Sequence, residues 1–413
     1  MQDTLKRKKN GQEAEHFLED KYQKWIADAA ATPKGLDALL ENSRQLTQQL
    51  LEEKEQEKRI RYFDQSVNQL LENCFPTLTK PEEIKLQLWK GQSYETFGAW
   101  DKALSAFQCV IDLCDSEEFA APKAKAHRFI GHIQIMQSRF ADALESYQES
   151  LKLTQECGDK KGEACSYNGL AFYCLEKGML AKATSHWEKT LELAQKANDI
   201  KLKADANNNL GIVANVAGSW EKALAHYGES LEHFDKIEDL RGLAKTYHNM
   251  AKTYADAKRW PEAGAHYEKS YQLAKEVGDT HALADIKLNR AELYVAIGDL
   301  NSAETLCQRA LKTYLQLEDH LGEADVYKLL GAINAARNDW PAAQSYFENS
   351  IILSQKFKSP LCEAEAHFEY GRMCRQKGNR SAAQEQYELA LSLFTQVAVQ
   401  NQIEKVNQEI AEL

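Results

Sequence analysis

Three histidines, His186, His226 and His266, stand forty residues apart, and so do three asparagines, Asn209, Asn249 and Asn289. The shared interval invites a metal reading for the imidazoles, since neutral rings bind zinc at about 2 Å. Successive helical layers lie roughly 8–10 Å apart, which keeps equivalent side chains from closing on one ion. Repeated surface histidine is the better account of that column. The asparagines are harder to set aside, because asparagine is a mediocre helix former and propensity does not explain three in register. Each offers one carbonyl acceptor and two N–H donors, the complement of the amides of an extended peptide.

Other chemistry is not spelled out. The chain has no GxxxxGK(S/T) phosphate loop, no HExxH zinc helix, no GxSxG elbow and no paired-cysteine zinc motif. Its nine cysteines are an odd number without CxxC spacing, and several, such as Cys174, Cys307 and Cys374, fall at helix-packing positions. They read as reduced thiols of a cytosolic protein, and nothing local pairs a cysteine with a histidine as a nucleophile. The expectation is a chain with no catalytic residues, no cofactor and no metal.

The elements that hold these residues repeat with the same period. Forty-residue steps from Ala223 meet alanine each time, at Ala103, Ala143, Ala183, Ala263, Ala303, Ala343 and Ala383. Steps from Gly211 meet only the two smallest residues, at Gly91, Gly131, Ala171, Ala251, Ala291, Gly331 and Gly371. Steps from Tyr227 meet a large ring everywhere but Cys307. Self-similarity at this period marks a stacked repeat array, whose core grows with length instead of splitting into domains.

Within 202–216, Ala204, Leu210, Gly211 and Ala214 recur at three and four residue spacing, and within 220–236 Ala223, Leu224, Tyr227 and Leu231 do the same. Each unit is therefore a helical hairpin. Its turn reads Gly218, Ser219, Trp220, Glu221, a glycine for the left-handed stop and then a capping hydroxyl, with Asp299 and Asp339 at the cap position elsewhere. The small columns let the two helices approach, and the ring is expected to fill the gap between them and the next hairpin.

The pattern Leu210-Gly211, Ala214 or Tyr254 three residues on, Ala223, Tyr227 and Leu231 resembles the tetratricopeptide repeat, in the forty-residue form of Pins-type and kinesin-light-chain-type proteins. The resemblance covers residues 84–395 as eight units and implies an all-α fold, a right-handed superhelical α-solenoid. Residues 1–83 fall outside the register and are expected to form an N-terminal helical bundle or cap, with one helix over 13–29 and a longer one over 36–71. Residues 396–413, with Ile403, Val406, Ile410 and Leu413 on one stripe, are expected to be a C-terminal capping helix. The basic run at residues 6–9 reads as a solvated terminus.

In such arrays the first helix of each hairpin lines the concave face, which the resemblance places at positions equivalent to 205, 208, 209 and 212. The candidate peptide-binding set is Asn168, Asn208, Asn209, Asn249 and Asn289, with Lys245, Lys252, Arg128 and Lys328 as charges for an acidic side chain or a terminal carboxylate. Asp205, Asp285, Asp325, Glu292 and Glu365 share the stripe, so the groove is mixed in sign. Lys245 and Asn249 fit two positions of the carboxylate clamp of chaperone co-factors, without the rest of that set in adjacent repeats.

A net charge of -11 and a pI near 5.6 argue against a nucleic-acid partner, which needs a basic footprint. No apolar run approaches the twenty or so residues of a membrane span, and the N-terminus lacks an apolar signal core. The chain is expected to be soluble and cytoplasmic, meeting neither nucleic acid nor membrane. It reads as a non-enzymatic scaffold or adaptor that binds an extended peptide or helix of a partner protein in its concave groove. Two other readings stay open: a regulator similar to the Rap-type peptide receptors, with the N-terminal helical region as effector, and a regulatory subunit of an enzyme complex.

Overall fold

The computed structural model describes residues 56–74 and 78–413 apart from 138, 318 and 398. The expected helix over 13–29, the first part of the one over 36–71, the basic run at 6–9 and Pro76 lie outside the described residues. Among the described residues the elements are helical throughout. The chain divides into two compact units, residues 1–126 and 127–413.

The first unit contains α1 (Gln56–Cys74), α2 (Lys80–Thr96), α3 (Trp100–Leu113) and a single 3-10 turn, Glu117–Phe119, before α4 (Ala120–Met136) begins. Phe63 of α1 is fully buried, with the rings of Trp89, Tyr94 and Phe97 at 5.0, 5.2 and 5.4 Å. Beside it Asp64 accepts hydrogen bonds from the Tyr94 hydroxyl and, at 2.6 Å, from Lys102 Nζ. An apolar stripe with one polar anchor thus holds α1 on the α2–α3 hairpin.

The second unit continues with α5 (Phe140–Glu156), α6 (Lys160–Glu176), α7 (Leu180–Lys196), α8 (Ile200–Val216), α9 (Trp220–Lys236), α10 (Leu240–Asp256) and α11 (Trp260–Glu276). It ends with α12 (Thr280–Ala296), α13 (Leu300–Leu317), α14 (His320–Ala336), α15 (Trp340–Lys356), α16 (Pro360–Gln376), α17 (Arg380–Gln396) and α18 (Gln400–Ala411). Consecutive helices pair as antiparallel hairpins, and the first helices of successive hairpins also touch, α8 on α10, α10 on α12, α12 on α14 and α14 on α16. The stack therefore curves with the first helices on its inner side.

The packing that fixes each hairpin is more local than the sequence suggests. A Cβ added at Gly211 would lie 2.5 Å from Tyr227 Cε1, and one at Gly91, Gly131, Gly331 or Gly371 would strike the ring of Phe107, Tyr147, Phe347 or Tyr387 in the same way. Each ring lies on the glycine of its own hairpin, and only then reaches onward: Tyr227 shares a core cluster with Met250 and Tyr254 of the next one. Behind the rings, hydroxyls bind the two helices together, Ser230, Ser270 and Ser350 donating to the carbonyls of Ala204, Ala244 and Ala324 at 2.8–2.9 Å.

Caps are arranged differently from the expected Gly-Ser turn. Gly218 does adopt the left-handed conformation, with φ at 73°, but Ser219 makes no side-chain cap bond. Asp299, Asp339 and Asn379, one atom longer at the same position, accept from the N–H three residues on. Between hairpins a column of aspartates does the same: Asp159, Asp199, Asp239, Asp279 and Asp319 accept from residues 162, 202, 242, 282 and 322 at 2.9–3.0 Å. Cations of the preceding repeat then seat on those carboxylates, Lys161 on Asp199, Lys201 on Asp239 and His281 on Asp319, each at 2.8 Å. At the C-terminal end α18 buries Val406 completely and lays Ile403, Ile410 and Leu413 against the cluster of Tyr387 and Phe394.

Two tests follow from this packing. Gly211→Ala should lower the unfolding free energy by about 1–3 kcal/mol in urea denaturation, as overpacking does, and Tyr227→Leu in the same chain should recover part of it. His281 bonds carboxylates through both ring nitrogens, Asp285 at 3.1 Å and Asp319 at 2.8 Å, which only the imidazolium can donate to. Hydrogen bonds to Asp285 and Asp319 push its pKa up to about 10 from the ordinary 6.5. The stabilisation is therefore complete below about 6.5 and lost as pH rises towards 10, and at a half-exposed site it is modest. Melting temperatures should fall across that window more steeply in the wild type than in His281→Gln; parallel curves would remove the imidazolium from the fold.

Candidate functional site

The inner face is built from the first helices, and the asparagines sit on it as an inter-repeat ladder. Asn209 Nδ2 donates to Asn168 Oδ1 at 3.1 Å, and Asn249 Nδ2 to Asn208 Oδ1 at 3.0 Å. Asn289 Nδ2 completes the series on His248 Nε2 at 3.3 Å. Each rung joins residues 41 apart in sequence. Asn208 and Asn209 are 1% and 3% exposed, whereas Asn168, Asn249 and Asn289 are half-buried. Trp187 Nε1 also donates to Asn168 Oδ1, at 2.9 Å.

This arrangement decides what the ladder has left to offer. The three Nδ2 groups expected to reach a visiting chain are engaged between repeats. Among the described residues, Oδ1 of Asn249 and of Asn289 and Nδ2 of Asn168 make no hydrogen bond to protein, so two acceptors and one donor remain. The ladder stops where the sequence puts Leu288 and Leu329 at the next rung; both pack against the core cluster of α12, α13 and α14. His248 is held neutral, burial drawing its pKa down to about 4.

The predicted cations part company. Lys245 and Lys252 are exposed on the inner stripe of α10. Lys328 is committed, donating to Asp325 at 2.8 Å and to Glu365 at 2.5 Å. Burial opposes its charge, but Glu365 and Asp325 outweigh that and hold its pKa well above the ordinary value. Glu292 keeps accessible surface, yet burial is the main cause that raises its pKa, with Asp325 and Glu365 adding to it. The side chain is open to solvent inside a protein-walled hollow. Burial likewise raises Asp205, against the pull of Lys245. Arg128 lies at the head of the stripe, its Nη1 buried and without a hydrogen-bond partner, and burial lowers its pKa.

One feature of the wall has no sequence signal. Lys177, at the end of α6, donates to the Val397 carbonyl at 2.9 Å across 220 residues. Phe140 is buried in the cluster of Phe394, Val397 and Val399, with Ile135 and Tyr173 packed beside it, and the Lys177 ammonium lies 5.1 Å from the Phe140 ring centre. The second unit thus meets itself end to end. A cleft of about 380 Å³ runs along the seam, lined by Gln137, Lys358, Glu363, Gln396 and Val397 among others. Across it Glu365 acts on Glu176, whose pKa burial raises first and that neighbour second.

The histidines of the forty-residue column are spent on their own surroundings: His186 stacks on Tyr167, His226 Nδ1 bonds Asn207 Oδ1 at 3.3 Å, and His266 Nδ1 bonds the Glu262 carbonyl at 2.8 Å. Among the described residues no group of three or more His, Cys, Asp or Glu is placed to hold a metal ion. No described helix is long and apolar enough to cross a membrane. Burial pushes Cys165, Cys174 and Cys374 towards the thiol form, and carries Cys362 up to about 11 and Cys307 up to about 12.

Small residues under rings, capped hairpins at a fixed period and a polar inner stripe define a tetratricopeptide-repeat protein. The model of that repeat matches residues 122–196, 162–236, 202–276, 242–315 and 282–356, more than half of the chain, and the chain belongs to that family. No curated protein matches its sequence. Solved structures share the fold. A Rap protein complexed with competence and sporulation factor is 12% identical, with a TM-score of 0.62 over 87% of this chain and 98% of that one. The apo form of the quorum sensor NprR from B. thuringiensis is 17% identical, with a TM-score of 0.55 over 92% and 99%. The Rap conjugation gene regulator of plasmid pLS20, solved with a Phr peptide, is 15% identical, with a TM-score of 0.53 over 83% and 95%. At these identities the likeness is one of fold.

The rungs predict a particular response to mutation. Asn249→Ala strands the acceptor of Asn208 and should cost about 1–3 kcal/mol, whereas leucine at both 208 and 249, as at 288 and 329, should be close to neutral in the same denaturation assay. A double variant as unstable as the single one would show that the rung does more than satisfy itself.

Proposed function

We propose that the protein is a non-enzymatic interaction module that takes an extended peptide segment of a partner into the inner groove of its second unit. The observation that supports this most directly is the line of unsatisfied amide groups on Asn168, Asn249 and Asn289, flanked by the exposed Lys245 and Lys252. A peptide main chain presents donors and acceptors alternately, and single acceptors one helix apart catch it without reading its sequence. Arg128 and Lys328 belong to the same stripe, Lys328 as part of the wall's own ion-pair network.

A second reading, a peptide-responsive regulator with residues 1–83 as effector, is favoured by the seam. A hollow whose wall closes through the Lys177–Val397 bond admits a ligand by opening, so binding is coupled to shape. Three fold relatives are a quorum sensor and two Rap proteins solved with a peptide factor.

Random heptapeptides selected on the full chain provide the test. Lys245→Glu with Lys252→Glu should weaken the selected peptides at least about tenfold, while a charge reversal on the outer face at Lys236 should not; equal behaviour of the two would move the site off the inner face. Small-angle scattering of the peptide-saturated chain separates the two readings, since an unchanged profile leaves an adaptor and sinks the regulator.

A further inference from the structure

The amide ladder has one position where the rung is missing, and it is occupied by a charge. Asn168–Asn209, Asn208–Asn249 and His248–Asn289 are the same contact taken every forty residues. One repeat earlier the pair is Arg128 and Gly169. Residue 169 has no freedom to supply a partner, because any Cβ there would lie 2.3 Å from Tyr147 Cε1. The result is a guanidinium in line with the ladder, with Nη1 wholly buried and unbonded. The residue as a whole still keeps some accessible surface.

A buried cation with no anion is costly in a folded chain. Neighbouring groups relieve it only in part: burial, the larger influence, lowers its pKa, while Cys165, Asp159 and Tyr147 pull the other way. Of these only Asp159 carries a full charge, and its Oδ1 accepts the cap bond of α6 from the Gly162 N–H and no bond from the buried Nη1. The stranded charge is a single one in a polar groove.

We propose that Arg128 is the anchor for a peptide carboxylate at the head of the amide ladder. The planar fork of the guanidinium matches a carboxylate through two parallel N–H donors. One cation neutralises one monoanion, whereas a phosphate would bring about two charges to a place with a single partner. The carboxylate is the C-terminus of the bound segment or an Asp or Glu side chain within it, and the main chain then runs past Asn168 towards Asn249 and Asn289. This rests on the inner groove being the peptide site and gives that site a polarity.

The probes are the heptapeptides selected on the full chain, each made as the free acid, as the C-terminal amide, and with its acidic residues replaced by their amides. Neutralising the anchoring carboxylate should weaken binding about ten- to hundredfold, and Arg128→Gln should abolish that difference. The Arg128→Gln melting temperature should stay level or rise, because an unpaired charge has left the interior, while a residue of purely structural importance would lower it. Loss on amidation alone assigns the terminus, and loss on side-chain replacement alone assigns Asp or Glu. Binding that ignores both changes, or Arg128→Gln still distinguishing acid from amide, overturns the anchor and leaves the groove standing. Retention of no heptapeptide by the wild-type chain overturns the groove and the anchor together.

Discussion

The second unit depends on a bulky side chain of one helix lying against a glycine or alanine of its partner, and in four hairpins the contact is a ring on a glycine. Tyr227 on Gly211, Tyr147 on Gly131, Phe347 on Gly331 and Tyr387 on Gly371 bring paired helices closer than any larger residue permits. That distance sets the hairpin, and the hairpin, repeated without insertion, sets the curvature of the stack. Apolar burial supplies the drive, but the shape comes from sterics. The serine hydroxyls that donate from one helix to a carbonyl of the other work only because the backbones are already near.

Close packing outside and polar side chains inside divide the labour between the helices of a pair. The second helices carry the rings, and the first helices turn a stripe of charge and amide inward. On that stripe the wall changes character along its length, from Arg128 through the asparagines and His248, past Leu288 and Leu329, to the Asp325–Lys328–Glu365 ion pairs. Groups there are surrounded by protein yet touched by water, which is why carboxylates such as Glu292 and Glu176 hold their protons more tightly than a surface acid.

The fold was legible because periodicity is a property of the sequence itself. Alanine at 223 and its equivalents, the glycine column and the ring column place the hairpins to within a residue or two, and α9 spans the interval read for it. Aspartates at 159, 199, 239, 279 and 319 were equally periodic, and their capping role was readable from the same alignment. The site was legible only in part. Asparagine at 209, 249 and 289 marks the inner stripe, but whether an amide faces a ligand or the next helix depends on the residue 41 positions back, which one column does not display. Lys328 looked like a free charge because Glu365 lies on another helix, α16, although Asp325, three residues back on its own helix, was readable from the sequence. The seam was invisible, since Lys177 and Val397 meet through the accumulated curvature of all the hairpins between them.

That meeting alters how such a molecule comes apart. A linear stack of repeats frays from whichever terminal repeat is weakest, because each unit leans only on its neighbours. Here Phe140 is sunk among Phe394, Val397 and Val399, so the two margins of the second unit brace each other. Melting cannot begin at a loose edge without first breaking that bracing, and the loss of any one hairpin is felt round the circuit from both directions. A chain assembled from nearest-neighbour contacts thereby gains some of the all-or-none character of a globular domain.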